Sequence, residues 1–163
     1  MITLSEAVIS LGSNLGEREK NINFALESVN LIPETKVVKV SKLYETKPFG
    51  VPNEQQNYLN CCAKISTELS PQILLGALLG IEAAMGRERK FRFCERIIDI
   101  DLIFYENEKL NEKNLTLPHP RAMQRAFVLA PLADLCENMQ FKNMDFRKAY
   151  ETCDKSILIK KYK

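Results

Sequence analysis

The strongest constraint on the fold is the order in which strand-like and helix-like patterns of hydrophobic residues follow one another along the first 105 residues. Segments 4–12, 36–46, 58–69 and 96–105 have the composition and length typical of strands. Between them, two segments carry apolar residues at the three- and four-residue spacing of a buried helix face. The predicted order is therefore strand, helix, strand, strand, helix, strand.

Both predicted helices have start and stop signals. The first would begin near Asn14, a residue type that commonly caps helices, and would end before Pro33. The second has Ser70 as its cap, Pro71 at its first helical position and Gly86 at its end. Helices inserted between four strands in this order predict an α+β, ferredoxin-like fold: an antiparallel sheet with helices packed mainly on one face. Because this fold hosts many unrelated activities, it does not by itself indicate a function.

Composition indicates an ordinary globular protein of a reducing compartment. The 163 residues predict one domain, 1–163, long enough to bury a substantial core. A formal net charge of +2 is too small to indicate a general nucleic-acid-binding protein. Five cysteines without a C-x-x-C pair favour free thiols over disulfides or a zinc site. Because the chain has neither an 18-residue apolar run nor a recognisable signal peptide, a cytoplasmic location is expected.

The last predicted strand contains two carboxylates, Asp99 and Asp101, in an otherwise apolar sequence. Side chains alternate along a strand, so both aspartates would share one face. The other face would pack against the helices through Ile98, Ile100, Leu102 and Phe104. Carboxylates with α-carbons about 6.5 Å apart repel each other unless a cation lies between them, and oxygen ligands of this kind suit Mg²⁺. The alternative interpretation is an ordinary solvated pair.

A basic segment precedes the aspartates. Its cations lie within ten residues of one another: Arg87, Arg89, Lys90, Arg92 and Arg96. Guanidinium groups bind phosphate through paired hydrogen bonds, so this segment beside a carboxylate pair favours phosphoryl transfer. A solvated charge run and an RNA-binding patch are the alternatives, although the aromatic motif of RNA-recognition modules is missing. Neither glycine-rich nucleotide-binding motif occurs in the sequence.

Six segments resemble, in order, the 6-hydroxymethyl-7,8-dihydropterin pyrophosphokinases of folate biosynthesis. They are SLGSNLG at 10–16, YETKPFG at 44–50, NYLNC at 57–61, IEAAMGRER at 81–89, RIIDIDLIFY at 96–105 and LPHPRAMQRAFVLAPL at 117–132. The resemblance covers about residues 7–135 and implies a Mg²⁺-dependent diphosphotransferase. Such an enzyme would transfer the diphosphate of ATP to 6-hydroxymethyl-7,8-dihydropterin, giving AMP and the pterin diphosphate.

The resemblance also implies roles for particular residues. Asp99 and Asp101 would hold two Mg²⁺ ions, and with Arg87 and Arg96 they are the candidate catalytic residues. The residues expected to bind the pterin are Thr46, Pro48, Phe49, Tyr58, Asn60 and Phe127. The residues expected to bind the nucleotide are Arg87, Arg92, Arg96, Thr116, His119 and Arg125. Without the resemblance, Tyr58 and Phe127 would be interpreted as core side chains.

Some positions depart from the family pattern. Leu79 and Asn114 stand where polar and basic nucleotide contacts are expected, and Phe93 replaces a tryptophan. Arg92 and Phe93 would lie on a loop that closes over the site. Glu82 has no role in this interpretation. The expected partners are the two small-molecule substrates and neighbouring folate-pathway enzymes, with no nucleic acid and no membrane.

Overall fold

The computed structural model describes residues 3–48, 51, 54–87 and 94–162. The strands are β1 (Ser5–Ser13), β2 (Thr35–Val40), β3 (Tyr44–Thr46), β4 (Tyr58–Thr67), β5 (Asp99–Tyr105), β6 (Leu110–Asn111), β7 (Thr116–Leu117), β8 (Gln140–Phe141), β9 (Met144–Asp145) and β10 (Leu158–Lys161). The α-helices are α1 (Arg18–Asn30), α2 (Pro71–Ala84), α3 (Ala126–Leu135) and α4 (Arg147–Thr152). None of the helices in these residues is long and apolar enough to cross a membrane.

The predicted ferredoxin-like arrangement is confirmed. β5, β1 and β4 lie side by side in an antiparallel sheet, and β2 and β3 both pair with the remaining edge of β4. The single strand expected over 36–46 is wrong, because the chain leaves the ladder at Ser41. The Ser41 N–H donates to the Cys62 carbonyl, while the Ser41 hydroxyl accepts the Cys62 N–H at 2.9 Å. A side-chain oxygen thus takes the place of a ladder acceptor at the break.

Helices cover both faces of this sheet. α1 and α2 pack on one face, over the side chains of Ile9, Leu11 and Ile100. The shorter α3 packs on the opposite face, where Val8 and Leu129 belong to a second core. The helices therefore lie mainly, but not only, on one face. This second face is the one that carries the two aspartates.

Strand β5 contains a β-bulge at Ile103. The pairing with β1 shifts by one residue between Val8 and Ile9, which leaves Ile103 as an extra residue on β5. A bulge of this kind changes which face the following side chains reach. The prediction that Phe104 packs under α1 and α2 is therefore wrong: its ring stacks on Phe141 in the opposite core, with 5.3 Å between ring centroids. The aspartates precede the bulge and keep the expected face.

The prediction that Asn14 caps the first helix is also wrong. α1 begins at Arg18, after Glu17, and Asn14 is fully buried one turn earlier. The Asn14 side-chain oxygen accepts the Arg96 N–H at 2.8 Å, and the Asn14 N–H donates to the Arg96 carbonyl at 3.0 Å. The Asn14 amide nitrogen donates to Gln55 at 3.0 Å. Asn14 therefore fixes the backbone of Arg96 to the end of β1.

The second helix follows its sequence signals. The Ser70 hydroxyl accepts the Ile73 N–H at 3.3 Å, and Pro71 occupies the first helical position. Gly86 follows the helix with φ of +83°, a conformation that glycine adopts without strain. α2 contacts β5. The basic segment begins directly after Gly86, at Arg87.

Candidate active site

The two aspartates lie at the end of the sheet where β1 ends and where β4 and β5 begin. The register places Asp99 beside Gly12 and Asp101 beside Ser10. On the other side of β1, Gly12 is also the partner of Asn60. Because paired residues on neighbouring strands share a face, the aspartates and Asn60 lie on the same side of the sheet. The carboxylates of β5 and the amide of β4 thus lie on either side of β1, on the same face of the sheet.

Asp99 is paired with two arginines. The Nη2 atom of Arg87 lies 2.8 Å from Asp99 Oδ1, and Nη1 of Arg96 contacts Asp99 Oδ2. The side chain of Arg87 is 8% exposed and that of Arg96 is 27% exposed. The Nε atoms of both arginines are buried and have no hydrogen-bond partner among residues 3–48, 51, 54–87 and 94–162. Buried donors of this kind are suited to binding oxygen atoms of a ligand.

Asp101 lies in a different electrostatic environment. Burial raises the pKa of its carboxyl, the charge of Asp99 adds to the rise, and His119 and Arg125 oppose it. Burial in turn lowers the pKa of the His119 imidazole, which favours its neutral form. The Nδ1 atom of His119 accepts the Arg121 N–H at 3.2 Å, so the neutral ring carries its proton on Nε2. His119 is therefore a neutral Nε2–H donor in the neighbourhood of Asp101.

Three residues of the expected pterin set adjoin the carboxylates. The Asn60 amide nitrogen donates to the Thr46 hydroxyl at 2.7 Å, and both side chains are buried. Tyr58 pairs with Thr46 in the β3–β4 register. Burial raises the pKa of the Tyr58 hydroxyl, and the charges of Arg96 and Asp99 also act on it. The Asn60–Thr46 pair and the charged cluster are therefore neighbours on one face of the sheet.

Among the described residues, the remaining expected ones have fewer contacts with the site or none. Phe127 lies in the first turn of α3, and the Arg125 guanidinium lies over its ring at 5.4 Å from the centroid. Pro48 follows β3, and Thr116 lies on β7 opposite Asn111; neither takes part in the ion pairs and hydrogen bonds described above. Three expected residues lie outside the described residues: Phe49, Arg92 and Phe93.

Glu82 belongs to the site although the sequence assigns it no role. It is 4% exposed; its Oε2 atom pairs with Arg87, and its Oε1 atom accepts the Ile100 N–H at 2.7 Å. Burial raises the pKa of the Glu82 carboxyl, while the Ile100 N–H and Arg87 oppose the rise. A signal was present in the sequence: Glu82 continues the four-residue spacing of the buried Leu74 and Leu78 and is the only charged residue in 71–84. A lone charge on the buried face of a helix indicates a paired or functional group.

Gly12 is required by the close approach of the Asn60 side chain. A Cβ atom at Gly12 would lie 2.7 Å from Asn60 Oδ1 and 3.6 Å from Tyr58 Cδ1. The first distance is too short for a real contact, and the buried Asn60 amide is held by its hydrogen bond to Thr46. Any other residue at position 12 would therefore displace the Asn60 amide.

We expect Gly12→Ala to weaken binding of a reduced pterin roughly 10- to 100-fold, because the displaced Asn60 amide loses its hydrogen bonds. The turnover rate at saturating pterin should change less, since Asp99 and its arginines stay in place. Calorimetric titration with the pterin and the KM for the pterin measure the two effects. Gly76→Ala is the matched control, because a Cβ at this exposed helix position meets no atom within 4 Å. An unchanged pterin Kd in Gly12→Ala would show that Asn60 does not contribute to pterin binding.

The carboxylate pair fits a hard divalent cation. Carboxylate oxygens are the ligands that Mg²⁺ prefers, and its sites in proteins commonly use one or two carboxylates, completed by water and substrate phosphates. Within the described part of the chain no group of three or more His, Cys, Asp or Glu side chains could hold a metal. Asp99 and Asp101 are the carboxylates of this site that could hold such an ion.

Comparison with known proteins gives a consistent result. The family model of 7,8-dihydro-6-hydroxymethylpterin-pyrophosphokinase (HPPK) matches residues 8–137. The chain is 38% identical over 153 residues to the 2-amino-4-hydroxy-6-hydroxymethyldihydropteridine pyrophosphokinase of Methylorubrum extorquens, covering 94% of this chain and 96% of that protein. It is 39% identical over 137 residues to the enzyme of the same name from Haemophilus influenzae, covering 84% and 85% of the two chains.

Solved structures share the fold. The Plasmodium falciparum HPPK-DHPS structure with STZ-DHP superimposes with a TM-score of 0.63 at 19% identity, covering 93% of this chain and 42% of that one. The chain thus spans less than half the length of this solved relative, and at this identity the likeness shows the fold alone. The match to the family model and the two bacterial relatives carry the assignment: the chain belongs to the 7,8-dihydro-6-hydroxymethylpterin-pyrophosphokinase family.

Proposed function

We propose that this chain transfers the diphosphate of ATP to 6-hydroxymethyl-7,8-dihydropterin in a Mg²⁺-dependent reaction that gives AMP and the pterin diphosphate. Family membership makes the chain a diphosphotransferase of folate biosynthesis with ATP as co-substrate. The observation that carries the finer proposal is a juxtaposition: a carboxylate pair and two arginines with buried Nε atoms adjoin a buried amide–hydroxyl pair at one end of the sheet.

In this proposal, Asp99 and Asp101 bind Mg²⁺, with two ions expected. When bound, Mg²⁺ would neutralise negative charge that develops on the phosphates during transfer. The two carboxylates lie on the short segment of β5 before the bulge, so the strand fixes their separation. Burial and the charge of Asp99 raise the pKa of the Asp101 carboxyl, so a cation beside it would stabilise its ionised form.

Arg87 and Arg96 bind the phosphates and stabilise the transferring group. Each has a buried Nε–H without a partner in the described residues, while its other nitrogens hold Asp99. Fixed cations beside the carboxylates cost no reorganisation when negative charge develops, which is how such sites lower the barrier to phosphoryl transfer. The neutral His119 and the Arg125 guanidinium are donors for the nucleotide phosphates. Catalysis comes from positioning and charge stabilisation, without a covalent enzyme intermediate.

The pterin binds beside these cations. Asn60 and Thr46 present a fixed amide and hydroxyl for the edge of the heterocycle, and Tyr58 and Phe127 supply aromatic faces. Flat heterocycles are commonly held by aromatic contacts and a few directional polar groups. The hydroxymethyl group of the pterin would then face the carboxylates, where the transferred diphosphate has to arrive.

The wider setting is part of the same proposal. Residues 1–163 act as one pyrophosphokinase domain in the cytoplasm, with ATP and the pterin as partners and without nucleic acid or membrane. The composite name HPPK-DHPS of the Plasmodium falciparum protein supports neighbouring folate-pathway enzymes as further partners.

The direct test is AMP formation from ATP with and without 6-hydroxymethyl-7,8-dihydropterin. We expect AMP only when the pterin and Mg²⁺ are both present, with loss of activity on chelation and recovery on re-addition of Mg²⁺. Release of ADP instead of AMP would indicate an ordinary kinase. Absence of AMP from a folded, Mg²⁺-supplied sample would contradict the proposal.

A further inference from the structure

The four charged side chains Glu82, Arg87, Asp99 and Arg96 form a row of alternating sign. Arg87 uses Nη1 to contact Glu82 and Nη2 to contact Asp99, 2.8 Å away, while the second oxygen of Asp99 contacts Arg96. Arg87 is therefore held by carboxylates on two sides. A guanidinium fixed at both Nη atoms cannot rotate freely, so the direction of its Nε–H, which has no partner within the described part of the chain, is fixed as well.

The same glutamate also supports the strand that carries the aspartates. β5 is an edge strand of the six-stranded sheet, and among the residues that the structure describes it has a strand partner, β1, on one side only. The Ile100 N–H, between Asp99 and Asp101, donates to Glu82 Oε1 at 2.7 Å. The Glu82 side chain thus accepts a backbone N–H that a neighbouring strand would otherwise bind. It does so at Ile100, whose backbone position determines the distance between the two carboxylates.

We propose that Glu82 is a positioning residue of the diphosphate-transfer site. One carboxylate oxygen orients the Arg87 guanidinium toward the transferring phosphates, and the other fixes the β5 backbone between the two aspartates. The inference rests on the proposed function. It adds that α2, through the buried Glu82 side chain, fixes the position of Arg87 relative to Asp99 and Asp101. Glu82 itself touches neither substrate.

Glu82→Gln separates the two contacts of this residue. The glutamine oxygen can still accept the Ile100 N–H, but the amide NH₂ group then faces the donors of Arg87. We expect kcat for pterin-dependent AMP formation to fall roughly 10- to 100-fold, the range typical of residues that orient catalytic groups. The Kd for the pterin and the urea unfolding midpoint should change little. A general structural role would instead change all three quantities together.

Glu106→Gln is the matched control. Glu106 lies at the far end of β5 and has the same pair of contacts: one carboxylate oxygen accepts the Glu6 N–H, and the other lies 3.3 Å from Lys142 Nζ. We expect kcat of this variant to equal that of the wild type. Equal losses of kcat in both variants would show that a paired glutamate bound to a backbone N–H matters only for stability, and the inference would be wrong.

A double-mutant cycle tests whether Glu82 acts through Arg87. If it does, Glu82→Gln should lower kcat far less in an Arg87→Ala background than in the wild type, because the oriented group is already missing. Losses that add would contradict the inference. Should Glu82→Gln fail to fold, Glu82→Asp takes its place in the cycle, since it keeps the charge but shortens the side chain by one methylene.

An NMR measurement of the Arg87 Nε–H tests the positioning role of Glu82 independently of enzymatic activity. In ¹⁵N NMR spectra, the Arg87 Nε–H resonance can be identified by its loss in Arg87→Lys. We expect slow solvent exchange of this resonance in the wild type and in Glu106→Gln, and faster exchange in Glu82→Gln. An unchanged Arg87 resonance in Glu82→Gln would overturn the positioning role whatever the activity. Missing AMP formation in the wild type, with the expected NMR change, would overturn only the proposed function.

Discussion

Asp101→Asn should reduce AMP formation to below about 1% of the wild-type rate, because substitutions that only orient metal ligands already cost roughly 10- to 100-fold. The same variant should be more stable than the wild type. Burial and the charge of Asp99 raise the pKa of the Asp101 carboxyl, which means that its ionised form is disfavoured in the folded state. The neutral amide removes this cost while occupying nearly the same volume.

The sign of the pH dependence follows from the raised pKa. At neutral pH, Asp101 is ionised in the unfolded state and its charge destabilises the folded state, so the asparagine variant should unfold at higher urea concentration. As the pH falls through the pKa of Asp101 in the folded state toward the ordinary value of 3.8, Asp101 becomes protonated and no longer destabilises the wild type. The difference in unfolding midpoint between the two proteins should then vanish. Urea unfolding at several pH values, together with AMP assays at neutral pH, measures both effects.

Asp134→Asn is the control for removal of a carboxylate. Asp134 accepts the Tyr44 hydroxyl at 2.8 Å and the Lys42 N–H at 3.2 Å, and asparagine keeps an acceptor oxygen there. Its AMP formation should be close to that of the wild type. If Asp101→Asn also retained a near-normal rate, the assignment of Asp101 as a metal ligand would be wrong.

The order of the strands and helices could be predicted because its signals are local. Alternation along a strand, the three- and four-residue spacing of a helix, and the Ser70–Pro71 start of α2 each depend on only a few neighbouring residues. The prediction that Asp99 and Asp101 share a face was confirmed for the same reason, since only one residue separates them. The ferredoxin-like topology then follows from the order of elements.

The errors arose where distant residues decide the local structure. The bulge at Ile103 depends on pairing with β1, almost one hundred residues earlier, and it moves Phe104 to the other core. Asn14 matched the pattern of a helix cap, but it binds the backbone of Arg96. The segment after residue 136 gave only weak signals, although β10 joins the main sheet through β3. None of these contacts leaves a pattern within a short window of sequence.

In the candidate site, too, the residues with local sequence signals were predicted and those that depend on distant contacts were not. The carboxylates and arginines were visible as charged residues in an apolar context, and the resemblance supplied the pterin residues. Gly12 and Glu82 act through contacts with other site residues, at Asn60 and Arg87 respectively, so their importance depends on distances that only the folded chain gives. Residues that position others are therefore the part of a site that sequence patterns reveal least.

Arg96→Ala should lower kcat roughly 100- to 1,000-fold and weaken pterin binding much less, because its fixed charge stabilises the transferring group. Burial disfavours the charge of Arg96, but the carboxylate of Asp99 more than offsets this, and the pKa of the guanidinium is raised. The side chain is therefore a permanent cation. The Asn14 hydrogen bonds involve only the backbone of residue 96, so the alanine variant should keep the segment in place.

The comparison of kcat with pterin affinity distinguishes a catalytic role of Arg96 from a structural one. Arg147→Ala is a control for the loss of a cation, since Arg147 is exposed on α4 and its guanidinium donates only to the Asn138 carbonyl among the described contacts. Arg96→Lys should recover part of the rate, because it restores the charge but not the Nε–H donor. Equal losses in kcat and pterin affinity in Arg96→Ala would mean that Arg96 shapes the pocket instead of stabilising the transferring group. Unchanged turnover would remove Arg96 from the reaction and leave Arg87 as the cation that Asp99 holds in place.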